Sequence, residues 1–309
     1  MRNVGFRLAA LLAASLAVTP LAAAGSPPPK PVEGPVVQTG GAPCGISARA
    51  GSLWIGVYET GKLLILDERN GRLEASVDVG RWACRVAVGP AAAWVTRDRA
   101  GELVRVSRGT GRVERMKVGT GTFDVLLAHG SVWTTSYDHA AIVRIDARTR
   151  RLTRVYKHGL YPAGLASCAG RIVVGHGRAV TFLTSIDPST HRMRRIEVGT
   201  AAPGWPVCIR GVVWVTTPDS IVRIEPRSGR VLSRLHVGET PAHAAEGPDG
   251  LVWVTDKQHS LVHRLTLEGN LVVDSFPAGP GAFALARVGK SMWVTSFAGS
   301  DVRRFDHPG

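Results

Sequence analysis

No stretch of the chain places apolar residues at a sustained 3.6-residue period, so helix is excluded as its main element. It has no CxxC metal spacing, no HExxH, no phosphate-cradling glycine loop and no recognisable Ser/His/Asp set. The commonest zinc, nucleotide and serine-nucleophile chemistries therefore have no footing. Acidic residues are few, 24 against 38 Lys and Arg, and none precedes Glu33. Charged residues are only 20% and apolar ones 44%, which excludes wholesale disorder. Aromatics are also scarce at 6%, yet eight of the nineteen are Trp.

One long apolar run is present, Leu8 to Ala24, after the basic start Met1 to Arg7. It ends in Ala22-Ala23-Ala24 before Gly25, which reads as a secretory signal peptide over residues 1–24, cleaved near Ala24-Gly25. The run is alanine-rich, is broken by Thr19-Pro20, and is shorter than the ~20 residues that span a bilayer. No cysteine sits just after the cleavage point, and nothing later is apolar for long enough to span. The mature chain is expected to be secreted or periplasmic, monomeric, and without a membrane span. Losing Arg2 and Arg7 lowers its net charge from +14 to +12. That basicity raises nucleic acid or an anionic envelope surface as a partner. However, Arg105, Arg144, Arg223 and Arg304 recur at similar places in successive segments and form no single cluster. They read as solubilising outer strands, and no nucleic acid is expected.

Internal repetition decides the fold. Seven short apolar segments align on Trp54, Trp94, Trp133, Val173, Trp214, Trp253 and Trp293, at separations of 40, 39, 40, 41, 39 and 40 residues. Each unit reads as four short strands with period-2 alternation, bounded by turns such as Asp67 to Gly71 and Glu225 to Gly229. Units of about 40 residues with four strands predict an all-β, seven-bladed β-propeller, and the recurring Trp a packing residue between blades. The chain ends after the third strand of the seventh unit, while Pro35 to Gly40 has the form of a fourth strand. The N-terminal strand is therefore expected to close blade seven and remove the ring's open edge. Residues 25–34 read as a linker without a core, and 35–309 as the propeller.

The segments Pro43-Cys-Gly-Ile46 with Ser52-Leu-Trp54, and Gly247-Pro-Asp-Gly-Leu-Val-Trp253, carry a family likeness. The pattern resembles exported seven-bladed propellers of the YVTN and streptogramin B lyase (virginiamycin B lyase) type. The lyase resemblance implies a divalent metal and a catalytic His over the channel, held by residues of the last blades. Here blade six begins Pro241-Ala-His-Ala244, with His243 one place late, and blade seven begins Gly279 to Ala284 without His, Glu or Asp.

The loops leading into each blade, and those between second and third strands, are expected to open on one face. They gather Tyr58, Glu59, Arg85, Asp124, Tyr137, Asp138, His139, Trp205 and Asp256 as candidate ligand contacts, with His243 and His176 as candidate catalysts. Such a mixture suits a polar small molecule or a peptide; the bland alternative is that Arg85 and Asp124 simply pair. Four cysteines in an exported chain suggest two disulfides, and three pairings exist. Only Cys44 with Cys84 and Cys168 with Cys208 joins neighbouring blades; free buried thiols are the alternative. The leading expectation is a non-catalytic scaffold that binds a small molecule, peptide or envelope protein. The alternative is a metal-dependent lyase or lactonase.

Overall fold

A computed structural model describes residues 28–157 and 160–308; the expected signal peptide lies outside them. Among these residues there is no helix, and 28 strands form seven four-stranded antiparallel sheets. Blade one comprises β2 (Pro43–Arg49), β3 (Ser52–Val57), β4 (Lys62–Asp67) and β5 (Leu73–Asp78). Blades two to six run from Ala83 to Lys117, Val125 to Lys157, Pro162 to Glu197, Trp205 to His236 and Pro241 to Pro277. Blade seven comprises β26 (Ala282–Val288), β27 (Ser291–Ser296) and β28 (Asp301–Asp306), completed by β1 (Val32–Gln38). The structure is the expected seven-bladed β-propeller.

Closure follows the sequence reading, with one extension. β1 pairs with β28 through Val37 opposite Val302 and Gln38 opposite Asp301, then continues past a bulge to Glu33 opposite Phe305 and Val32 opposite Asp306. The strand thus starts three residues before Pro35, the flanking prolines having hidden its beginning. Further upstream, the carbonyls of Pro28 and Pro29 accept hydrogen bonds from Arg264 at 3.2 and 2.9 Å. These two carbonyls take the role that turn carbonyls play for Arg144 and Arg223 in other blades.

The tryptophans pack between blades. Trp54, Trp94, Trp133, Trp214, Trp253 and Trp293 are all buried, each in an apolar cluster with residues of a neighbouring blade. The arginines opposite them on third strands are not mere solubilisers. Arg144 lies 5.0 Å over Trp133 and donates to the Pro188 carbonyl of the next blade at 2.7 Å. Arg223 lies over Trp214 and reaches the Glu268 carbonyl, and Arg304 reaches that of Arg69. Arg105 instead faces Glu114, which also pairs with Arg150 of blade three. Arg144, Arg223 and Arg304 recur at one register position because each joins its blade to the turn of the following one.

Candidate functional site

The mouth of the channel is built where first strands begin. In blades one, two, four, six and seven the pairing of first to second strand shifts at this point, between Ala83 and Val86 or between Pro241 and Ala244, for example. Such a bulge leaves residues unpaired in the ladder and re-aims their side chains. Below it, a second-strand threonine fixes the height: Thr96, Thr135, Thr255 and Thr295 accept from the backbone N–H of Arg85, Asp124, His243 and Ala284 at 2.8 to 3.1 Å.

Arg85 spans the channel on this layer. Its Nε donates to Asp124 Oδ1 at 3.1 Å in the next blade, and its Nη1 to His243 Nε2 at 3.1 Å in blade six. Asp124 is buried and also accepts from the backbone N–H groups of Val125 (2.9 Å) and Leu165 (2.8 Å), so it ties three blades together. His243 is 7% exposed; burial first, and then the Arg85 charge, push its pKa well below the ordinary histidine value. It is a neutral imidazole whose Nε2 accepts. Trp205 stacks against both, 5.4 Å from the guanidinium and 4.7 Å from the imidazole.

Above this floor runs an arc of rings. Tyr161, Tyr137, Phe123, Trp205, His243, Phe283, Phe297 and Tyr58 follow one another with successive centroids 4.7 to 6.4 Å apart. Arg178 caps one end, 4.1 Å over Tyr161, and Lys257 sits 4.7 Å over Phe297. Two hollows open against the arc and share Phe123 and Trp205: one of about 370 Å³ reaching Thr217 and Glu239, one of about 180 Å³ bounded by Tyr58, Asp98 and the Cys44–Cys84 bridge. The Tyr58 hydroxyl donates to Asp98 at 2.9 Å; burial raises the Asp98 pKa against that bond, and the nearby Asp138 charge adds to the rise.

Of the residues expected here, Arg85, Asp124, Trp205 and His243 form the floor, and Tyr58 and Tyr137 belong to the arc. Glu59, Asp138 and His139 are exposed on the rim. His176 is fully buried within blade four, bonded to the Thr184 hydroxyl at 2.9 Å and facing the Leu160 carbonyl at 3.3 Å. Asp256 is also fully buried, spent on its own loop. Burial pushes its carboxyl up, but bonds from the His259 side chain, the backbone N–H groups of His259 and Glu239, and the Thr240 hydroxyl outweigh this and hold it at about 2. Phe123, Tyr161, Arg178, Lys257 and Phe283 escaped the sequence reading. Phe123 stands one position before Asp124, a residue taken as lining the mouth, a displacement that one-per-blade spacing does not register.

Cys44 with Cys84 and Cys168 with Cys208 form two bridges, with Cα atoms 4.7 and 5.3 Å apart. Among the described residues no three His, Cys, Asp or Glu side chains converge as a metal cluster, and no helix is long and apolar enough to cross a membrane.

Fold and site define a closed seven-bladed propeller with an aromatic mouth. It is similar to a solved streptogramin B lyase structure at TM-score 0.76 and 16% identity, covering 90% of this chain and 96% of that one. A catalytically inactive virginiamycin B lyase from Staphylococcus aureus with quinupristin aligns at TM-score 0.78 and 16% identity, over 90% and 99% of the two chains. BamB from Moraxella catarrhalis aligns at 0.63 and 16%, over 85% and 82%. No family model and no curated protein matches the chain.

Proposed function

We propose that the protein is an exported, non-catalytic binding propeller. Its ligand is a peptide segment or small molecule carrying apolar or aromatic groups, free or presented by an envelope protein. The unbroken arc of eight rings around the mouth carries this reading, since stacked rings offer large rigid contact area at low entropic cost. Export is supported by the two disulfides, which persist in oxidising compartments.

The same floor argues against a lyase. His243 Nε2 has no proton to give, and its lone pair is engaged by Arg85. A guanidinium beside that imidazole also opposes a divalent cation, so the side chains at the mouth do not fit a resident metal. The structural likeness to virginiamycin B lyase makes ring opening the rival worth testing. Titration with quinupristin is expected to give saturable binding, weakened at least tenfold by Trp205→Ala and by the rim variant Tyr161→Ala. Chromatography should find quinupristin and simple lactones intact, with or without added divalent metal. Metal-dependent ring opening, or binding indifferent to both variants, would overturn the proposal.

A further inference from the structure

Beneath the floor lies a second cavity of about 370 Å³, extending along the first strands away from the aromatic mouth. Its wall includes Leu126, Val207, Ala245 and Leu285, each two residues further along its strand than Asp124, Trp205, His243 and Phe283. Arg85 lines its inner end with two donors engaged, Nε by Asp124 and Nη1 by His243, while no described residue accepts from Nη2. Asp124 meets Arg85 through Nε alone, so the Nη2 protons remain available.

We propose that this inner cavity is a seat for a carboxylate, received end-on by Nη1 and Nη2 of Arg85, with a short apolar, amide-bearing body lying along the channel. A guanidinium fork matches a carboxylate in a planar, two-bonded geometry that neither an ammonium nor an imidazole reproduces. The neutral His243 adds no competing charge, and the Trp205 ring lies 5.4 Å from the guanidinium. First strands are the inner edges of their sheets, so unpaired backbone N–H and C=O groups face the channel and can meet an amide. The chemistry fits either a free organic acid or the C-terminus of a peptide. Trp205 lines both the cavity and the mouth, whereas Arg85 and Val207 line the cavity and neither hollow of the mouth, so variants at those two positions test the seat apart from the mouth.

The test is calorimetric titration of the intact mature protein with N-acetyl-Ala-Ala, with the same peptide amidated at its C-terminus, and with butyrate. The free acid is expected to bind at least tenfold more tightly than the amide, and to lose at least tenfold in Arg85→Gln. Val207→Phe fills the cavity without touching the Arg85–Asp124 pair and should abolish binding; it keeps the proposal testable if Arg85→Gln fails to fold. Butyrate matching the peptide assigns the seat to free organic acids, and peptide alone assigns it to chain termini. An amide that binds as well as the acid, Val207→Phe that binds like the parent, or no binding by any probe would overturn the proposal.

Discussion

His243 shows how much a single buried group can say. Its unfolded-state pKa is near 6.5 and its folded value lies well below, because burial and Arg85 both disfavour the imidazolium. The unfolded chain therefore binds this proton first as pH falls, and stability drops on the acid side of 6.5. A group protonated only when unfolded costs up to about 1.4 kcal/mol per pH unit. Urea unfolding of the parent and of His243→Gln between pH 7 and pH 5 should show the parent losing stability more steeply, and parallel slopes would refute the assignment. Asp124 offers a second test at this scale. Asp124→Ala strands Arg85 and two buried backbone donors, and should cost about 3–5 kcal/mol.

At the scale of the element, the second strand reveals why the blades are not identical. Thr96, Thr135, Thr216, Thr255 and Thr295 share one register position, which Gly56 and Gly175 take in blades one and four. The hydroxyls of Thr135, Thr216 and Thr255 donate to the next blade's first-strand carbonyl at 2.6 to 3.0 Å. At the glycines the neighbouring backbone moves into that space instead. A Cβ at Gly56 would lie 2.3 Å from the Cys84 carbonyl oxygen, and one at Gly175 2.1 Å from that of Gly204. These two junctions are the ones bridged by disulfides. Gly56→Thr should therefore destabilise by about 1–3 kcal/mol through overpacking, read from the denaturant midpoint. The closing strand makes a parallel case. A chain starting at Val32 keeps β1 but strips Arg264 of two carbonyl acceptors, and should lose about 1–3 kcal/mol. A chain starting after Gly40 exposes the edge of β28 and should lose several, within the ~5–15 kcal/mol at which a fold fails. Equal thermal midpoints for the parent chain and the longer deletion would refute closure by β1.

For the whole molecule, the ring is a cycle of seven like interfaces closed by one non-local strand and braced by two covalent bridges. Each bridge closes a 40-residue separation, for which chain entropy gives about 4 kcal/mol. Reduction, or the pair Cys44→Ser and Cys168→Ser, should lower the denaturant midpoint without changing the fold.

Blade number, strand order, the packing role of the tryptophans and the closing strand were all legible in the sequence. Each depends on a pattern that the chain repeats every 40 residues or so, and repetition makes a local signal unmistakable. The pairing of the cysteines was narrowed to neighbours by the same spacing, and geometry completed it. What faces what across the channel was decided by tertiary structure alone. Arg85 meets His243 from 158 residues away, a contact that occurs once and follows no period, and Arg264, itself at the repeating position, finds its carbonyl on Pro29, 235 residues away. Those meetings depend on the curvature of the ring, on bulges that displace residues at the mouth, and on side-chain reach. Periodicity fixes where each strand lies, whereas the site is made of exceptions to the period, visible only when the ring is closed.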